Sequence, residues 1–130
     1  MRFDEIPLER LRRKHMACAG GATTLCIDPV PDGYLLILYN FSCVSVDATP
    51  VQTEIRVLLT DRDGNVDQIG AAWCGDDGVA TTFCIAYWQP NYPIVMNSGE
   101  YLSVQINVGT SAGEANWQEV LIPVNKEVAQ

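Results

Sequence analysis

The chain has 130 residues, 48% hydrophobic and only 18% charged, with a net charge of −8 and an isoelectric point near 4.4. That length suits one domain able to bury most of its apolar surface without metals or disulfides, and so acidic a body is excluded as a grip on nucleic acid, where Lys and Arg dominate phosphate binding. No apolar run is long enough for a bilayer and no secretory signal is read at the start, so synthesis in the cytoplasm is expected, with no membrane partner.

The first fourteen residues differ in sign from the rest. They hold five of the eight bases, Arg2, Arg10, Arg12, Arg13 and Lys14, against the acids Asp4, Glu5 and Glu9, a net of +2, whereas the remaining 116 residues hold three bases and thirteen acids, a net of −10. Residues 4–16 read as a short helix: Asp4 caps it, Pro7 is tolerated in its first turn, and Ile6, Leu8, Leu11 and His15 recur at roughly helical spacing. The bases near its C-terminal end suit the helix dipole, and Ala19-Gly20-Gly21-Ala22 breaks the helix and supplies a joint. Residues 1–22 are therefore expected to be a basic arm whose partner-binding side chains are Arg2, Phe3, Ile6, Leu8, Arg10, Leu11, Arg12, Arg13 and Lys14.

From Thr23 the period changes to two. Leu35, Ile37, Tyr39, Phe41 and Cys43 fall on one face, as do Val51, Thr53, Ile55, Val57 and Leu59 in the next run. Asp61-Arg62-Asp63-Gly64 is a turn into a strand over 65–73, with Gly64 free to take a left-handed conformation. Further strands are expected at 79–88, 92–96, 100–108 and 116–124, and Leu102, Val104, Ile106 and Val108 share a face. The apolar runs around Ile37, Ile55 and Ile106 are expected in one core. Seven or eight strands without crossover helices describe an all-β protein, an antiparallel β-sandwich or jelly roll over residues 23–124, preceded by the short helical arm and followed by a polar tail at 125–130.

Little here points to catalysis. Asp61-Arg62-Asp63-Gly64-Asn65-Val66-Asp67 alternates side-chain oxygens like part of a calcium loop, but Gly64 is fourth where an EF-hand needs its glycine sixth, and Ala72 is twelfth where it needs Glu. The single histidine, His15, lies in the basic arm without an acid-base partner nearby in sequence. Cys18, Cys26, Cys43, Cys74 and Cys84 form an odd set without a Cys-x-x-Cys pair, read as reduced small hydrophobes, with one Cys43–Cys84 bridge as the alternative. Asn40-Phe41-Ser42 fits a glycosylation pattern but sits within an expected strand. Trp73, Trp88 and Trp117 are read as oligomer-interface residues, while the same three with Tyr87, Tyr92 and Tyr101 are the alternative of a sugar-stacking platform. No enzyme activity, metal or cofactor is expected.

Across roughly residues 27–124 the sequence resembles the small β-sandwich proteins that are accessory structural components of tailed-phage virions. The resemblance lies in an order of features: Val30-Pro31-Asp32-Gly33, then Leu36-Ile37-Leu38-Tyr39-Asn40, a central hairpin, the run Tyr92-Pro93-Ile94-Val95-Met96-Asn97-Ser98-Gly99-Glu100-Tyr101-Leu102-Ser103-Val104, and a final strand at 116–124. It implies a virion protein assembled in the host cytoplasm, foremost a trimeric capsid cement or decoration protein bound to the major capsid protein or another virion protein. A neck or tail adaptor, and outside virions a carbohydrate-binding module, are the alternatives. The extra cysteines and the basic N-terminus are not part of the pattern.

Overall fold

The computed structural model describes residues 11–19, 23–47, 53–74, 84–107 and 112–124. Arg2, Phe3, Ile6, Leu8 and Arg10 of the expected arm, Gly20 and Gly21 of the expected joint and the tail at 125–130 lie outside the described residues. Within them the protein is all-β, with nine strands and no helix: β1 (Arg12–Ala19), β2 (Thr23–Cys26), β3 (Tyr34–Asp47), β4 (Thr53–Thr60), β5 (Val66–Cys74), β6 (Cys84–Trp88), β7 (Ile94–Met96), β8 (Tyr101–Asn107) and β9 (Ala112–Pro123).

The strands make two antiparallel sheets. The first runs β1-β9-β3-β6, and the second β2-β8-β4-β5. β7 joins the first sheet on the edge of β3 that β6 also uses, pairing Leu36–Leu38 while β6 pairs Cys43–Asp47. Apolar side chains from both sheets meet in one cluster that includes Leu36, Leu38, Phe41, Cys43, Ile55, Val57, Leu102, Val104, Ile106, Ala115 and Trp117. Two hydroxyls buried in this interior satisfy each other, Ser45 Oγ lying 2.7 Å from Thr53 Oγ1, as buried polar groups require.

Residues 12–16, expected as the end of a helix, instead form the first five of the eight residues of β1, pairing Arg12 with Glu119 through Met16 with Ala115. A run of Arg, Arg, Lys and His has only a weak intrinsic preference, and pairing along a long partner strand overrides it. The alternation in β3 is also corrected. Its register against β9 shifts between Tyr39 and Ser42, and Asn40 there takes a φ of 52°. The extra residue of this bulge reverses the faces. Phe41 and Cys43 point into the inter-sheet core as expected, but before the bulge the side chains in that cluster are Leu36 and Leu38, and Leu35, Ile37 and Tyr39 belong to the opposite face, where Ile37 is nonetheless buried at 1% exposure. A second bulge in β5 leaves Ile69 unpaired between Gly70, opposite Val57, and Gln68, opposite Leu58.

A Cys43–Cys84 bridge does not form. Cys43 is a buried free thiol, and its register partner is Trp88 whereas Cys84 pairs with Asp47, about 13 Å further along a strand.

Candidate functional site

The two sides of the sandwich are finished differently. On the β5–β6 side the indole of Trp88 lies over Gly70, where an added Cβ would stand 2.1 Å from its Cε2, so glycine is needed for the sheets to close. On the β1–β2 side a cleft of about 530 Å³ stays open.

The cleft is built by pieces far apart in sequence. β1 contributes Lys14, His15 and Met16, the end of β2 and the segment after it contribute residues 26–31, and Leu36, Trp117, Glu119 and Leu121 come from β3 and β9. Register fixes the directions: Lys14 pairs with Trp117 and Met16 with Ala115, and both partners point into the core. Trp117 stacks at a tilt on Phe41 with ring centroids 5.8 Å apart, and its Nε1–H donates to Glu119 Oε1 at 2.9 Å. The indole polar group is thereby satisfied beside an apolar wall. Arg13 and His15 turn to the other face, where His15 Nδ1–H donates to Asn116 Oδ1 at 2.7 Å. Pro29 and Pro31, which lack the N–H a sheet ladder needs, line the cleft in the strand-free stretch after β2.

Of the arm residues expected to bind a partner, Leu11, Arg12, Arg13 and Lys14 are described; Leu11 is half-buried, and Arg12, Arg13 and Lys14 are exposed at the start of β1. Among the described residues β1 ends the strand order of its sheet, which places the basic cluster on its terminal strand. The three tryptophans are not brought together. Trp117 is buried at 6% exposure inside its own protomer, leaving no face for a second subunit. Trp88 is half-buried and makes an edge-to-face contact with Phe41, ring centroids 6.1 Å apart. Trp73, 63% exposed, is paired with Glu54, next to the inward-facing Ile55, and so stands on the outer face of the second sheet. Tyr87 follows the buried Ala86 and stands on the outer face of the first, so these aromatics form no single platform. Ile85, Tyr87 and Val95 are exposed apolar residues of β6 and β7.

The calcium-like sequence is a self-contained turn. Asp61 Oδ1 accepts from the backbone N–H groups of Asp63 and Asn65 at 2.9 Å each, and Asp61 Oδ2 from Asn65 Nδ2 at 3.0 Å. These bonds hold the Asp61 carboxyl below its ordinary range, the Asn65 side chain contributing most, and Gly64 takes its left-handed φ of 88°. Among the described residues no group of three or more His, Cys, Asp or Glu is placed to hold a metal ion. Asn40 is exposed, and its Nδ2 donates to Gln118 Oε1 at 3.0 Å. Burial pushes the Cys43 thiol up to about 12, which keeps it protonated and unreactive, whereas Cys26 is exposed at the cleft.

No protein-family model and no curated protein matches the chain. Among solved structures it is similar to PirA, with a TM-score of 0.38 and 13% identity over 90% of this chain and 97% of that one. It is also similar to TmCBM61, solved in complex with β-1,4-galactotriose, with a TM-score of 0.34 and 9% identity over 89% and 83% of the two chains. A structure of infectious bursal disease virus, Gx strain, gives a TM-score of 0.23 and 9% identity over 92% of this chain and 44% of that one. These likenesses are weak and bear on neither activity nor partner.

Proposed function

We propose that this protein is a structural component of a tailed-phage virion, foremost a capsid cement or decoration protein, with a neck or tail adaptor as the alternative station. The observation that carries the reading is the strand order. With β6 and β7 taken as one interrupted strand beside β3, the order β1-β9-β3-β6 facing β2-β8-β4-β5 is the connectivity of an eight-stranded jelly roll, an architecture used by viral capsid and lectin domains. Fold analogy alone does not assign function; the reading draws its further support from the site. A basic edge strand on an acidic body suits attachment to an acidic neighbour, here the major capsid protein or another virion protein.

The proposed mechanism is thermodynamic. A protein that binds the assembled shell and not its free subunits stabilises the shell by mass action, and attachment as a homo-oligomer multiplies the effect. A trimer would place Trp73 or the exposed Ile85 and Tyr87 between chains, Trp117 being used in the core. No catalytic step and no cofactor enters this reading. The carbohydrate-binding alternative has less support, because Trp73 and Tyr87 stand on opposite outer faces.

The test is to express a tagged chain in infected cells and sediment the particles on a density gradient. The proposal expects the tag in the particle band at a fixed stoichiometry, reduced in a chain lacking residues 1–10. A tag found only at the top of the gradient overturns it.

A further inference from the structure

We propose that the outer face of the first sheet is a docking surface for the chain's own residues 1–10, with Ile6 and Leu8 seated over Val120 of β9 and Ile37 of β3. The inference concerns how the chain covers itself and does not depend on the virion reading. The segment's apolar side chains are then used on the body, and any contact it makes with a neighbour falls to its charged ones.

Two side chains are buried on the face of the first sheet that points away from the second. Trp117 and Leu38 point into the inter-sheet core, so by alternation Val120 and Ile37 point away from it, and the two are register partners. Both are nevertheless 1% exposed, and neither belongs to the inter-sheet cluster. Neighbours in the same sheet stand beside such side chains and not over them, because side chains leave a sheet roughly perpendicular to it. The second sheet packs on the opposite face, so among the described residues no strand stands over this pair. Val95 of β7, the register partner of Ile37 one strand further, is 39% exposed. The cover therefore spans β9 and β3 and stops before β7.

Position, length and side chains select residues 1–10 as that cover. Leu11, half-buried, immediately precedes Arg12, whose partner is Glu119, so the chain joins the sheet at the level of Val120, at the covered end of the row. Ten extended residues reach about 33 Å, against roughly 10 Å for the two strand spacings from β1 to β3. Pro7 favours an extended Ile6, which sets Ile6 and Leu8 on one side of the segment. Charge agrees: Arg13 is exposed on this face in the adjacent row, opposite Gln118, and the segment brings Asp4, Glu5 and Glu9 against Arg2 and Arg10. Arg12 and Lys14 face the other way, opposite Glu119 and Trp117. The stretches at 20–22, 48–52, 75–83 and 108–111 are anchored at the other end of the sheet, where Ala19 and Val46 pair with Ala112 and Asp47 with Cys84. Val46 is nine positions beyond Ile37, roughly 30 Å along a strand. The tail at 125–130 offers Val128 as its one large apolar side chain.

The test is methyl NOE spectroscopy on the full chain with isoleucine, leucine and valine methyls labelled, a readout that needs no variant to fold. NOEs from Ile37 and Val120 to Ile6 or Leu8 are expected. The full chain carrying Ile6→Ser with Leu8→Ser should show shifted Ile37 and Val120 methyl resonances, unshifted Ile55 and Val57 methyls in the inter-sheet core, and stronger fluorescence of an apolar-surface dye. NOEs from Ile37 and Val120 to Val51, Val79 or Val128 instead, or to no methyl outside the sheet, would overturn the proposal. So would NOEs to Ile6 and Leu8 that appear only between differently labelled chains in a mixed sample, which would assign the cover to a second copy.

Discussion

Gly113 in β9 is the position where the packing makes its sharpest demand. A Cβ there would lie 2.0 Å from Ile106 Cδ1 and 3.0 Å from Ile106 Cγ1, with the Val44 carbonyl oxygen at 3.4 Å. Ile106 is 1% exposed and belongs to the core, so its terminal methyl has no free space to move into. Overpacking of this kind costs about 1–3 kcal/mol, offset by the roughly 0.5–1 kcal/mol that alanine gains over glycine inside a strand. Gly113→Ala should therefore destabilise by about 0.5–2 kcal/mol. Ile106→Val removes the clashing methyl and alone costs about 0.5–1.5 kcal/mol. In the double variant the clash is gone and the alanine gain remains, so the two changes should couple favourably by about 1–3 kcal/mol. Urea denaturation of the wild type, both single variants and the double gives the cycle directly. Additivity within about 0.5 kcal/mol, the behaviour of sites that do not touch, or a stabilised single Gly113→Ala, would refute the packing of β9 against β8 described above.

Asn40→Val forces a β-branched residue into the left-handed backbone of the β3 bulge and should cost about 1–2 kcal/mol, while Asn40→Gly stays within about half a kcal/mol, both by denaturant titration. Native protein at pH 8 should react with an aromatic disulfide reagent at Cys26 while Cys43 stays protected until unfolding, as peptide mapping of the labelled thiols will show. Because burial raises the Cys43 thiol from 9.0 to about 12, the folded state favours the protonated form; that stability is complete below pH 9.0 and is lost as pH rises toward about 12. The Cys43→Ala variant should lack this alkaline component. Deleting residues 1–19 strips β1 from β9 and uncovers Ala115 and Trp117, so a lower melting temperature and a red-shifted tryptophan emission are expected.

The sequence made the middle of the fold readable because alternation is written there in apolar residues: β4, β8 and the turn at Asp61–Asn65 are where periodicity and turn chemistry put them. The bulge in β3 was hidden because both the odd and the even residues before it are apolar, Leu35 and Ile37 on one face and Leu36 and Leu38 on the other. Only Asn40, a residue that tolerates a left-handed backbone, marks the place. β1 was missed because its residues are charged, as edge strands often are, and β2 because four residues hold too short a pattern to register. The cleft had no local signal at all, since it joins Lys14 and Cys26 to Trp117 and Leu121, and only the order of strands brings those positions together. The basic cluster was legible as a run of like charge, but its pairing with β9 as a strand was not.

The proposed place of this chain as a fixed part of a virion shell can be checked by electron cryomicroscopy of particles purified from cells producing the tagged chain. β-sandwich density is expected at symmetric positions on the shell, with the β1 side turned toward the neighbouring protein and the tag on every copy. Well-resolved particles whose shell, neck and tail hold no density for this chain would contradict it.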